Sequence, residues 1–418
     1  MKSDHTILSL DPMYSPLHEE IGKITGDKKY AITSCFAKKV YLPNFEQVLA
    51  VSLIDSVSKE EAKPYQDKIA SMETYHHAYV KKVELRSLDE EELNYMARFY
   101  VALKRFIVKK SISLVIVHND SRWYHFIAID ICCELNIPYL VTEQGLIRPY
   151  TTVIDPQGCN ARSKIIFDDI YESTSDLKST DSEFNPKSKH DSLKSMLFFL
   201  FFLLIFTIER INKSKTIVRY MHNDYRVSKY TKRIWNKICV KKKNNCQQVL
   251  ENSVLLLLQL ETDSQFLLYS PFQSNQQLID LVSVLAKDIH CHLAIKSHPL
   301  DRNMYSIDSS SYFVEGNIKT LSESAKAVFT INSSASVEVM KTNTPLILLG
   351  DSIYWREGVA DKLNILSAKV KLNISNLKVD QLKRECFLNY LRDDYLVHGA
   401  GYSFCPEHLK NKLEKILD

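Results

Sequence analysis

Short apolar runs that end in polar clusters constrain this chain more than any other feature. In the first half they fall at 7–10, 30–33, 112–118 and 138–142. In the second half they fall at 253–259, 292–296, 327–331 and 346–349. Helical periodicity separates them, over 123–135, 275–288, 318–324 and 334–341. Such alternation is the signature of βα units around a parallel sheet. A chain of 418 residues holds two halves of this kind. The expected fold is therefore α/β, with two Rossmann-like domains facing a central cleft. The expected division is 1–170, a middle segment 171–250, and 251–418.

Composition excludes several classes. Hydrophobic residues make up 45% and charged residues 25%, which suits globular domains rather than disorder. The net charge of +4 gives no general nucleic-acid signature, so no nucleic-acid partner is expected. Nine cysteines without CxxC or zinc-type spacing fit a reducing cytosol. His290-Cys291-His292 has no second ligand pair nearby, and no metal is expected. No long apolar core follows a basic start, so no signal peptide is expected.

The middle segment differs from the rest. Residues 172–192 are rich in Ser, Asp, Lys and Asn and read as a loop. An apolar run follows at 196–206, including Phe198, Phe199 and Phe202. It falls short of the roughly 20 residues that span a bilayer. It reads as a buried core helix, as a helix that dips into one leaflet or, least favoured at this length, as a true transmembrane span. From Arg210 to Lys243 stand twelve Lys and Arg residues, among them Lys213, Lys215 and Arg219, against Asp224 as the one acid. Cations beside an apolar helix attract anionic headgroups; the alternative is a solvated linker face.

Four polar clusters stand at expected strand ends, where open α/β sheets bind ligands. Glu143, next to a tight turn at Gly145, suits a general acid or base; the alternative is a carboxylate paired with Arg148. The second cluster, Gln259 to Gln265, offers a sugar-binding edge with Gln259, Ser264 and Asp263. Asp263 is placed to be a nucleophile or to stabilise an oxocarbenium-like centre, unless the stretch is only a polar turn. In the third, Lys296, His298 and Arg302 can neutralise a leaving phosphate. In the fourth, Asn332, Ser333 and Ser334 precede a helix whose start suits a phosphate, with Glu338 one turn in for a ribose. The same residues also read as a serine N-cap with a first-turn acid.

These clusters carry a resemblance. The blocks EQGLIRPYTTVIDPQGCNARS (143–163), QLETDSQFLLYSPF (259–272), IKSHPLDR (295–302) and TINSSASVEVMKTNTPLILLGDSIYWREG (330–358) resemble, in order, the bacterial capsule polysaccharide Kdo transferases. The likeness is to the KpsS type and more distantly to the KpsC type. The resemblance implies a GT-B fold and a CMP-β-Kdo donor, with no other cofactor. It implies a retaining transfer of Kdo to a phosphatidylglycerol-type lipid. By position Asp263 matches the nucleophile candidate, His298 the His-Pro motif that contacts the nucleotide phosphate, and Ser333, Ser334 and Glu338 the donor block. The implied setting is the inner face of the bacterial inner membrane, on its anionic leaflet. A second Kdo transferase and the capsule export machinery are the implied partners. Another cytidine-nucleotide-dependent GT-B transferase, for glycerophosphate or another sugar, and a non-catalytic capsule-assembly protein are the alternatives.

Overall fold

The computed structural model describes residues 5–12, 15–148, 151–165, 167–173, 192–211, 216–220, 250–363, 377, 379–400 and 403–417. The chain forms two compact units. The first comprises Met1–Cys159, Phe184–Lys242 and Tyr395–Asp418; the second comprises Asn160–Glu183 and Lys243–Asp394.

The first unit opens with six strands: β1 (His5–Leu10), β2 (Gly26–Thr33), β3 (Glu46–Leu49), β4 (Leu114–His118), β5 (Tyr139–Gln144) and β6 (Thr151–Asp155). Strands β3-β2-β1-β4-β5 pair in that order, all parallel, and β6 runs antiparallel to β5. The central strand β4, LVIVH, is buried at every position, as a parallel strand covered on both faces must be. The helix Glu90–Lys109 starts with a capping box: Glu92 N–H donates to Asp89 (2.8 Å), and Asp89 N–H donates back to Glu92 (2.9 Å). The helix Trp123–Leu135 ends at Asn136, which takes the left-handed conformation (φ 53°).

The second unit contains β7 (Ser253–Leu257), β8 (His292–Lys296), β9 (Ser311–Phe313), β10 (Val328–Thr330), β11 (Leu346–Leu348) and β12 (Asp361–Lys362). They pair in parallel in the order β12-β11-β10-β7-β8-β9. Its core gathers Leu256, Phe266, Leu278, Ile295 and Phe329 from both faces of this sheet. The chain then returns to the first sheet. There β13 (Leu396–Ala400) pairs antiparallel with β6 and with β14 (Ser403–Phe404). The expected second half kept all of 251–418 together. Its last residues instead complete the first unit, because β6 offers an open edge that β13 fills, and Leu409 and Leu413 join the first core.

The β5–β6 turn depends on Gly145. Its N–H donates to the Thr151 carbonyl (2.9 Å), and a Cβ there would lie 2.4 Å from that carbonyl's carbon and oxygen. Gly145→Ala is expected to cost about 1–3 kcal/mol, read as a lower urea midpoint. An unchanged midpoint would show that the turn opens freely.

The apolar run of the middle segment lies in the helix Ser192–Ile211. Phe202 is fully buried against Tyr41, with Leu203 and Phe206 beside it, and Phe198 and Phe199 are half-buried in the same cluster. Phe202 is therefore a core residue rather than a membrane contact: it fills the space over Cys35 and Ala37. Glu209, also buried, accepts from Phe36 N (2.9 Å) and Ala37 N (3.2 Å), which locks this helix to the first unit. Arg219 donates to Glu91 (2.5 Å) and lies over Tyr95, so it is tied to its own unit. Lys213, Lys215, most of the basic segment and most of the expected loop fall outside the described residues. No helix among the described residues is long and apolar enough to cross a membrane.

Candidate active site

In the second sheet the strand order reverses between β7 and β10, the position where open parallel sheets bind ligands. The ends of β10, β7 and β8 lie side by side there, which brings together the second, third and fourth polar clusters. Gln259 and Asn332 span the reversal. Gln259 Nε2 donates to Asn332 Oδ1 (2.9 Å), and Asn332 N donates to Gln259 Oε1 (3.1 Å). Asn332 Nδ2 reaches the carbonyls of Gln265 (3.3 Å) and Asp351 (3.1 Å). Both residues are buried, and buried amides must satisfy their polar atoms. Expected as donor contacts, they are here the clamp that holds the two strand ends.

Asp263 is exposed and caps the helix Ser264–Tyr269, accepting from Gln265 N at 2.8 Å. That bond holds the carboxylate in one rotamer at the sheet's carboxyl edge, with Ser264 half-buried beside it. His298 Nδ1 accepts from Leu300 N (3.1 Å), so the neutral ring carries its proton on Nε2. Lys296 closes β8, and Arg302 is exposed beyond it. The fourth cluster departs from expectation. The helix starts only at Ser336, after Ala335, which offers no side-chain cap, and it ends at Met340. Ser333 Oγ accepts from Ala335 N (3.2 Å), making a local turn. Ser334 is half-buried in the same turn. Glu338 pairs with Lys341 (2.6 Å) on the surface, a contact weak enough for a ligand to displace.

The first sheet reverses its order between β1 and β4, and there the structure assembles a group that sequence reasoning missed. Both strands leave through left-handed residues, Asp11 (φ 43°) and Asn119 (φ 71°), strained geometry that tends to gather at functional sites. Buried Asp11 accepts from Ser34 N (3.0 Å), Ser34 Oγ (2.7 Å) and Tyr124 OH (3.0 Å), and buried Lys38 stands 3.9 Å away. Burial opposes its charge, but Lys38 and Ser34 outweigh that and hold the carboxyl below its usual range.

Three neutral histidines lie near it. Burial lowers His18 to about 3. Burial, then the charge of Arg122, holds His118 and His125 well below the usual imidazole value. The Thr142 hydroxyl donates to the Val117 carbonyl (3.2 Å), leaving its oxygen to accept from His18 Nε2 (3.0 Å) and His118 Nδ1 (3.1 Å). His118 Nε2 then presents a lone pair toward Glu143 Oε1, 3.8 Å away. His125 Nδ1 donates to the Asn119 carbonyl (3.1 Å). Among the described residues, neither His118 Nε2 nor His125 Nε2 has a hydrogen-bond partner. Glu143 itself accepts from Asn119 Nδ2 (2.5 Å) and Gln144 N (2.8 Å). Arg148 donates instead to the Gly145 carbonyl (3.3 Å), so the expected alternative of a Glu143–Arg148 pair is not formed. The signal for this group was available: HNDSR after β4 and Asp11 after β1 are polar strand ends like the other four.

The chain matches the family described as "Capsule polysaccharide biosynthesis protein" over residues 113–395. The capsule polysaccharide export protein KpsS of Escherichia coli is 26% identical over 274 residues, 59% of this chain and 69% of that protein. The capsule polysaccharide modification protein LipB of Neisseria meningitidis serogroup B is 23% identical over 290 residues, 62% of this chain and 68% of that protein. Among solved structures, the beta Kdo 2,7 transferase of Thermosulfurimonas dismutans KpsC aligns over 99% of each chain, with 13% identity and a TM-score of 0.40. The family match takes in β4 to β12 with all four polar clusters, and the protein belongs to the capsule polysaccharide biosynthesis protein family.

Proposed function

We propose that the protein is a retaining glycosyltransferase that moves Kdo from CMP-β-Kdo to a phosphatidylglycerol-type lipid, as the first step of the capsule linker. The observation that carries this reading is the carboxyl edge of the second sheet. There Asp263, His298 and the Ser333–Ser334 turn end adjacent strands. Family membership and the four sequence blocks support it.

In this reading Asp263 attacks the anomeric carbon and CMP departs as a phosphate monoester. Lys296, His298 Nε2–H and Arg302 stabilise the negative charge gathering on that phosphate. Ser264, Ser333, Ser334 and Glu338 orient the nucleotide and sugar. In the second displacement the acceptor hydroxyl attacks the anomeric carbon, the bond to Asp263 breaks and frees its carboxylate, and a general base takes the hydroxyl proton; Glu143 is the candidate base that the sequence offers. A lipid acceptor places the protein peripherally on the inner face of the inner membrane. A second Kdo transferase and the export machinery would use its product.

The test is a transfer assay with purified protein, a regenerating CMP-Kdo supply and a fluorescent phosphatidylglycerol analogue, read by mass spectrometry. One added Kdo is expected, and Asp263→Asn should lower the rate by at least about 10²-fold. If CMP-Kdo is neither bound nor consumed, the Kdo reading fails and another cytidine-activated donor takes its place. Full activity in Asp263→Asn would remove this residue from the chemistry.

A further inference from the structure

The helix Ser192–Ile211 has two faces of different fate. One is the core face described above, pinned by Phe202, Phe206 and Glu209. The other carries Leu193, Met196, Leu197, Leu200, Phe201, Leu204, Ile208 and Ile211, all between 49% and 72% exposed. Their spacing of three and four places them in one stripe, about 27 Å long at the helical rise. Eight large apolar side chains in a continuous exposed stripe mark a surface that meets something other than water.

Charge selects the occupant. The stripe holds no acid, and Glu209, the one acid of this helix, is buried on the opposite face. Lys194 and Arg210, both exposed, stand at its two ends. Two copies meeting face to face would bring these cations against apolar side chains with no acid of the stripe to meet them, whereas an anionic lipid surface complements them. The core face is fixed to the protein, so this helix cannot turn end-on into a bilayer. It can only lie flat, with the stripe sunk among headgroups and upper acyl chains.

We propose that this stripe is a membrane-docking surface for anionic phospholipid, with the helix lying in the plane of the bilayer. The proposal deepens the lipid-acceptor reading by naming the surface that meets the acceptor's membrane, and its test needs neither donor nor turnover.

The experiment is flotation of the full chain with phosphatidylcholine vesicles, with and without phosphatidylglycerol. A variant carrying Leu197→Glu, Phe201→Glu and Leu204→Glu runs in parallel. These side chains are more than half exposed, so circular dichroism and the thermal midpoint should be unchanged. The native chain should float with the phosphatidylglycerol vesicles, and the variant should bind them at least about tenfold more weakly. Lys194→Glu with Arg210→Glu should reduce binding only to the anionic vesicles. Equal flotation of native and variant chains would overturn the proposal. So would a native chain that ignores both vesicle types, or a variant that loses self-association while still floating. Loss of transfer with flotation intact would count against the transferase reading alone.

Discussion

Glu143→Gln is expected to leave the fold in place and to lower transfer by about 10²–10⁴-fold, the usual contribution of a positioned acid–base group. Glutamine keeps an oxygen for the Gln144 N–H and fills the same space beside Asn119. What it cannot do is take the acceptor's proton. In the native chain that proton would arrive on a carboxyl whose Oε1 stands 3.8 Å from the His118 Nε2 lone pair. His118→Gln should therefore change the pH profile of transfer more than its KM, since His118 is buried and lies behind the carboxyl. Steady-state kinetics on both variants, with urea midpoints as a folding control, decides the matter. Glu143→Gln within about threefold of the native rate would move the acid–base role elsewhere, since a lost acid–base group costs far more than that.

Acidification should destabilise the first unit strongly. His18 titrates near 3 in the folded chain against 6.5 unfolded, and His118 and His125 are shifted in the same direction. Below the unfolded value the unfolded chain binds protons that the folded chain refuses. Stability is thus complete above about pH 6.5 and falls as the pH drops toward the folded values. From about pH 7.5 to about pH 5 a His18 that stays neutral removes about 2 kcal/mol. His118 and His125 act in the same direction, and even about 2 kcal/mol is a large fraction of a domain's stability. Asp11 adds nothing in this window, because its depressed value releases stability only at lower pH. Urea midpoints across this range should fall steeply, and His18→Gln should make the fall shallower. A flat profile would show that these rings reach water or gain partners on protonation.

Much of the architecture was legible because apolar periodicity is a local signal. The helices Trp123–Leu135 and Asn275–Asp288 and the strand His292–Lys296 fall where the pattern puts them. The polar clusters at strand ends were legible for the same reason, since each follows its apolar run directly. The sequence could not show that Gln259 and Asn332 clamp each other across 73 positions. It could not show that 396–400 closes the first sheet rather than the second. The sequence offered the separate polar strand ends of the histidine group but not their assembly: His118 ends β4, Thr142 and Glu143 stand in β5, Asp11 follows β1, and His18 and His125 lie on two helices. A buried imidazole is neutral only once the chain around it has excluded water.

The apolar run of the middle segment divides the two kinds of information most clearly. Its composition pointed to a helix with a short apolar run, and no helix among the described residues is long and apolar enough to cross a membrane. Which phenylalanines face the core is set by Glu209 binding the Phe36 and Ala37 amides, a contact across 173 positions. Local sequence sets periodicity and burial propensity, because those act within a few residues. Register between distant elements, tautomers and the choice of buried face depend on partners that only the folded chain brings within hydrogen-bond distance.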